Sequence, residues 1–374
     1  MPDFLYIHIP FCERKCIYCD FLSVPYDSEL VGRYIRALCA ELTLRKDNSR
    51  PLRSVYIGGG TPSSLSENAF DMIFKGLREH YAFSADAEIT VEANPGSVDT
   101  SKFKVLADLG VNRISIGIQS FINDELKTLQ RIHSSDEAIL AVEIAKKTKI
   151  KNISVDLIYG IPGQKLSSWQ KSLSTACSLS PAHISTYELT PEEKTPLFNK
   201  IKSGNLIMPG EDVIIEMYNY AIDYLTSRGF FHYEISNFAM PGYESRHNLN
   251  YWDRGEYIGA GAGAHSFMGS SRAKNTSDIK KYIYDLKRSI LPEEDSVIVS
   301  PIEALQEFIF LGLRKTRGIN ISEAAAFGID ISKSSSELIE QGRLEANNGC
   351  IRLTKKGLVL ANTVIVSLLD ASGL

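Results

Sequence analysis

Residues 6–21 read YIHIPFCERKCIYCDF and set Cys12, Cys16 and Cys19 in a C-x3-C-x2-C arrangement. Three thiols this close in sequence have the spacing of metal ligands. A structural zinc site is closed by four ligands, whereas an iron–sulfur cube held by three thiolates keeps one iron open to a small molecule. The spacing favours the cluster. Zinc with Asp20 or His8 as fourth ligand is one alternative the residues leave open, and three buried, unliganded thiols are another.

With 374 residues the chain is long enough for a large domain and a smaller one. Its formal charge of -4 and lack of a long basic run give no footprint for nucleic acid, so no nucleic-acid partner is expected. The opening MPDFLYIHIPF has no basic segment followed by a cleavage site, and its apolar run is only strand length. A cytoplasmic protein without a transmembrane segment is therefore expected. Cys39, Cys177 and Cys350 stand alone in apolar segments and read as buried free thiols.

Outward from the cysteines, a helical period from Asp27 to Leu44 puts Leu30, Tyr34, Leu38 and Leu42 on one face. A strand over 53–57 runs into GGGTP, and Ser66 with Glu67 opens a helix through Leu77. EITVEANP, RISIGIQSF, NISVDLIYGIP and HISTYELTP repeat the pattern, with helical segments between them. Parallel strands joined by helices need both sheet faces covered, and active groups gather at the carboxyl ends of the strands. Six such units are too few for a closed eight-unit barrel. The expected fold class is α/β, a partial (β/α)6 barrel over 1–229 with a lateral mouth wide enough for a large flat molecule. Aromatic and glycine-rich loops begin at Phe230 and define an extension over 230–300. Over 301–374, EALQEFIFLGLRKTRGI and SSELIEQGRL read as helices and IRLTKKG as a hairpin, a small winged-helix-like domain. Its basic charge is confined to Arg314, Lys315 and Arg317, so it reads as a structural or contact module.

Gly58, Gly59, Gly60, Thr61 and Pro62 lie just past a strand, where glycines let backbone groups approach a ligand closely. Alone, the triplet reads equally well as a tight turn. The cysteine spacing resembles that of the radical S-adenosylmethionine (SAM) enzymes. The words HIPFC, YCDF, GGGTPS, IGIQSF, DLIYGIPGQ and YEISNFA resemble the branch that holds coproporphyrinogen dehydrogenases and HemW-type proteins. This resemblance implies a radical-SAM barrel with a 4Fe–4S cluster on Cys12, Cys16 and Cys19. It also implies a SAM pocket drawing on Tyr6, Tyr18, Gly58, Gly59, Gly60, Thr61, Glu92, Gln119, Arg131 and Asp156. Carboxylates and amides suit a ligand that joins a sulfonium, a zwitterionic amino acid and a ribose. One electron from a reduced cluster cleaves SAM to a radical, which would require an electron donor and a shielded cavity.

Two departures separate the chain from the dehydrogenases. Phe21 stands where they carry a further cysteine, and they have an N-terminal extension, whereas the first strand here starts almost at Met1. Both point to the HemW type, whose members act as heme chaperones, with heme as cargo for heme-accepting proteins. Coproporphyrinogen dehydrogenation, or a radical reaction on another substrate, is the alternative. The HNxxYW word of the HemW type falls on His247, Asn248, Tyr251 and Trp252. Imidazole is a good axial ligand and aromatic rings pack on a porphyrin face, so His247 is the first candidate heme ligand. His265 in GAGAHSF ranks second, because its small neighbours imply close backbone packing around a structural imidazole. The residues leave open whether two copies form a homodimer.

Overall fold

A computed structural model describes residues 2–46 and 49–374. The alternating segments form β1 (Phe4–Ile9), α1 (Ser28–Leu44), β2 (Leu52–Gly59), α2 (Glu67–His80), β3 (Phe83–Ala93), α3 (Thr100–Asp108), β4 (Arg113–Gln119), α4 (Ser135–Lys146), β5 (Asn152–Tyr159), α5 (Leu166–Ser178), β6 (His183–Glu188) and α6 (Glu211–Ser227). Strands β1 to β6 lie side by side in chain order and parallel, which makes the partial barrel. Strand side chains alternate between faces. Val55, Ile57, Val91, Ile114, Ile116, Val155 and Leu157 are fully buried against helix faces that include Tyr34, Leu38, Phe70, Ile73 and Leu77. The opposite parity turns Tyr56, Glu92, Ser115, Asp156 and Ser185 inward, where their polar groups bond one another.

The sheet does not stop at residue 229. Beyond β6 an antiparallel hairpin of β7 (Phe231–Glu234) and β8 (Asn237–Ala239) extends one edge. At the other edge β9 (Ile258–Ala260) runs parallel to β1. These outer strands do not pair with each other, so the barrel stays open. A division at 229 therefore cuts through one sheet, and 230–300 is not a separate extension. Strands of three or four residues carry too little alternation to stand out among glycine and aromatic loops. Between them, α7 (Arg246–Trp252) closes the amino-terminal end of the barrel, with the backbone amides of Arg246 and His247 donating to Glu88 on β3.

β10 (His265–Met268), β11 (Ser271–Asn275) and β12 (Glu293–Ile298) form a small antiparallel sheet, with α8 (Ile279–Lys287) connecting the last two. The link to the barrel is a buried polar knot. Glu41 accepts from Arg45 Nε at 2.8 Å, Asn275 Nδ2 at 2.7 Å, Tyr282 OH at 2.6 Å and the Gly261 amide at 2.8 Å. Four donors satisfy a carboxylate that would otherwise be expensive to bury.

The tail has its own core around Leu305, Ile309, Leu344, Ile351 and Ile365. The order helix Pro301–Gly312, strand Ile319–Asn320, helices Ile321–Ala326, Ile331–Ser334 and Ser336–Glu340, then hairpin Leu344–Asn347 with Cys350–Leu353, is that of a winged helix. The long helix expected over EALQEFIFLGLRKTRGI ends at Gly312. Ile319 must pair with Ile351, and Gly318 makes the required turn at φ +73. Among the described residues no helix is long and apolar enough to cross a membrane. Cys39, Cys177 and Cys350 are free but half-buried, not buried.

Candidate functional site

A cavity of about 450 Å³ opens at the carboxyl ends of the strands. Cys12, Cys16, Cys19, Tyr18, Gly59, Gly60, Thr61, Glu92, Gln119, Arg131 and Asp156 all line it. Tyr6, Gly58 and His247 do not. Tyr6 lies beneath the floor, stacked on Tyr56 with ring centroids 6.2 Å apart, and Gly58 is covered by Tyr56 and Glu92.

The cysteine loop and the glycine turn are built against each other. The Gly60 amide donates to Ile9 O at 2.8 Å and the Thr61 amide to Phe11 O at 2.7 Å. A Cβ on Gly60 would sit 2.7 Å from Phe11 O and 3.0 Å from Cys12 Sγ, so only glycine lets the turn approach this closely. Thr61 Oγ1 donates to Cys12 Sγ at 3.5 Å. His8 braces the loop and is not a metal ligand. Its Nε2 donates to Leu22 O at 2.9 Å and its Nδ1 accepts from Tyr6 OH at 2.9 Å.

Arg131 reaches the cluster loop from 115 residues away, donating from Nη1 to Cys16 Sγ at 3.4 Å. Its Nη2 donates to Asn94 Oδ1 at 2.7 Å and Gly117 O at 2.6 Å, while its buried Nε has no partner among the described residues. Burial raises the thiol pKa of Cys12 and Cys19, so both are held protonated unless a metal takes the thiolate. Among the described residues no three His, Cys, Asp or Glu side chains gather as around one ion. In a cluster each thiolate binds its own iron, and three thiols on one cavity wall beside a guanidinium suit that group.

Across the cavity the floor is acidic. Glu92 accepts from Tyr56 OH at 2.7 Å and from the Gly59 amide at 3.0 Å. Burial outweighs these bonds and pushes its pKa up to about 7. Asp156 accepts from the hydroxyls of Ser185 at 2.7 Å, Ser115 at 2.8 Å and Ser154 at 3.2 Å, and burial raises its pKa as well. Gln119 ends β4 in the left-handed region at φ 69, an uncommon conformation for a non-glycine residue and one found at ligand sites.

The two candidate heme histidines lie in opposite surroundings. His247 is 1% exposed, hydrogen-bonded through Nδ1 to Ser54 Oγ and through Nε2 to Tyr251 OH, both at 3.0 Å. Burial, and then the charge of Arg113, lower its pKa to about 3. It is a neutral core imidazole under Tyr56 with no nitrogen left for iron. His265, expected to be structural, is exposed on β10 and lines a second cavity. Sequence reasoning also passed over Tyr56, Asn94, Ser115, Tyr187 and Glu188 on the first cavity wall. The available signal was parity, since Tyr56 and Ser115 share the inward face of their strands with Gly58 and Gly117.

Residues 6–176 match the radical SAM superfamily and residues 299–360 the HemN C-terminal domain. A heme chaperone HemW of Bacillus subtilis is 38% identical over 367 residues, covering 96% of this chain and 97% of that protein. The heme chaperone HemW of Escherichia coli is 42% identical over 272 residues, covering 71% of this chain and 70% of that protein. The solved structure of coproporphyrinogen III oxidase from Escherichia coli superposes with a TM-score of 0.86 at 22% identity, covering 98% of this chain and 90% of that one, which shows a shared fold. Similarity over nearly the whole length, on top of a partial barrel with three cysteines at its mouth, shows that the chain belongs to the HemW family of radical SAM proteins.

Proposed function

We propose that the chain is a heme chaperone that carries a 4Fe–4S cluster on Cys12, Cys16 and Cys19, takes SAM into the adjoining cavity, and delivers heme to heme-accepting proteins. The observation that carries this reading is the end-to-end similarity to relatives named heme chaperones. Phe21 supports it against porphyrinogen oxidation: at the position of the dehydrogenases' further cysteine stands a side chain that lines the cavity and is 62% exposed. When bound, the cluster supplies an open iron and an electron. The residues of the chain do the rest. Arg131 sets a positive charge beside Cys16, Glu92 and Asp156 face the cations of SAM, and Tyr56 orients Glu92. The same reading puts the chain in the cytoplasm and requires an electron donor only if SAM is cleaved.

The test is anaerobic incubation of the reconstituted protein with hemin, and separately with coproporphyrinogen, SAM and a reductant. Stoichiometric hemin uptake, transfer to an apo-hemoprotein and no protoporphyrinogen are expected. Protoporphyrinogen formation would reverse the assignment.

The acid floor adds a pH dependence. Glu92 has a pKa of about 7 in the empty cavity against 4.5 for a free glutamate, so its neutral form stabilises the fold fully below 4.5 and that contribution is lost as pH rises through 7. A cationic ligand favours the opposite, ionised form. SAM affinity, measured by calorimetry on cluster-loaded protein, should rise by up to about tenfold per pH unit below pH 7 and level off above it. Glu92→Gln should bind more weakly with that slope gone; a slope kept in the variant would assign the proton elsewhere.

A further inference from the structure

Arg113 opens β4, and strand parity turns it into the barrel on the same face as Ser115. Its side chain is 2% exposed and does not join the lining of the first cavity. Strand register sets Thr90 on β3 and Asn152 on β5 to either side of it. Arg113 Nε, Thr90 Oγ1 and Asn152 Oδ1 are nevertheless all buried without a hydrogen-bond partner among the described residues. The carboxylates whose charges act on Arg113 are bonded elsewhere. Glu88 accepts the amides of Arg246 and His247, both at 3.2 Å, and Asp156 accepts three serine hydroxyls. Burying a charge without a bonded partner is expensive, so packing does not account for this residue.

The groups around Arg113 show what its charge acts on. Tyr6 on β1, Tyr56 on β2, Tyr187 on β6, Tyr233 on β7 and Tyr251 on α7 are all pushed by burial toward the neutral phenol. Burial, and then the charge of Arg113, keep His183 on β6 and His247 on α7 neutral. Glu234 on β7 is bonded to Asn237 and to the Ser236 amide. Arg131, at the cavity wall, is committed to Cys16, Asn94 and Gly117 O. That leaves the two acids of the floor. Burial favours the protonated form of both Glu92 and Asp156, and repulsion from Asp156 adds to this at Glu92; the charge of Arg113 opposes it at both.

We propose that Arg113 is a positioning residue of the SAM pocket, a fixed charge beneath the floor that sustains the paired negative charge of Glu92 and Asp156 for a cationic ligand. The proposal rests on the reading of the first cavity as a SAM site. Arg113 itself touches no ligand there, since it lines no part of the cavity. Glu88 sets how much of the charge is felt above, because it is the acid that acts on Arg113 most strongly. Two backbone amides of α7 hold Glu88 in place, so the HNxxYW segment bears on the SAM floor through Glu88 and Arg113.

The experiment is a calorimetric titration of the full-length, cluster-reconstituted protein with SAM across the pH range, for the unmodified chain, Arg113→Met, Arg113→Lys and Glu88→Gln. In the unmodified protein the affinity should reach its plateau with a midpoint at the Glu92 pKa of about 7. Arg113→Met removes the cation, so the midpoint should rise by about one pH unit and binding at neutral pH should weaken about fivefold, recovering as the pH is raised further. Arg113→Lys keeps the charge and should restore the midpoint. Glu88→Gln removes the counter-charge while keeping a carbonyl for the amides of α7, and it should move the midpoint the other way. A merely structural arginine would lose stability in Arg113→Met, measured by urea denaturation, and leave the midpoint in place. An unmoved midpoint in Arg113→Met, or in Glu88→Gln should the first variant not fold, overturns the role of Arg113 and leaves the SAM site standing; failure of the unmodified protein to bind SAM overturns both.

Discussion

Alanine in place of Cys12, Cys16 or Cys19 should each leave the protein unable to retain iron and sulfide after anaerobic reconstitution, whereas alanine at Cys39, Cys177 or Cys350 should leave both at the unmodified level. The first three thiols share one cavity wall with Arg131 and the glycine turn. The other three are solitary and lie outside that cavity. A cube held by three thiolates has no spare protein ligand, so loss of one thiolate removes a third of the bonds that hold it and opens it to solvent. Analysis of iron, sulfide and zinc checks the result. Stoichiometric zinc without sulfide in the unmodified protein would replace the cluster with a mononuclear site, and cluster loss in a Cys39, Cys177 or Cys350 variant would show that a ligand has been missed.

His247→Ala should cost about 3 kcal/mol of stability and leave hemin binding by the folded protein intact. The substitution empties a fully enclosed site bounded by Phe4, Tyr56 and Tyr251, and it strips the hydroxyls of Ser54 and Tyr251 of their partner. The lost volume and the stranded polar groups add. Urea denaturation of the two proteins measures the difference. Because the folded pKa is lowered to about 3 from 6.5, the neutral imidazole's contribution is present above pH 6.5 and is lost as pH falls toward 3. The variant should therefore lose less stability on acidification than the unmodified protein. A small stability change accompanied by loss of hemin binding would return iron ligation to His247.

Much of this protein is written in local patterns. The C-x3-C-x2-C spacing, the turn after β2 and the strand–helix alternation each depend on residues within about two dozen positions of one another, and helical and strand periods show at that range. The six-unit barrel and the winged-helix-like tail are accordingly legible in the sequence. The edge hairpin at 231–239 and the strand at 258–260 are not, because three or four residues between glycines define no period and only their neighbours β6 and β1 give them a place in the sheet.

The site divides in the same way. Ligand-type residues were legible where they fell at or beside a strand's carboxyl end, as with Glu92 and Gln119. Tertiary structure alone decided that Arg131 meets Cys16, that Tyr56 bonds Glu92 and that His8 is committed to Leu22 O. It also set the surroundings of the two histidines. HNxxYW makes His247 look like a ligand beside aromatic rings, yet the helix that carries it closes the barrel floor and uses both nitrogens there. GAGAH makes His265 look enclosed, yet β10 turns it outward to a cavity. A side chain's chemistry belongs to the residue, but its solvation and partners depend on segments far away in the chain, and those decide whether an imidazole holds a fold together or is free to hold a metal.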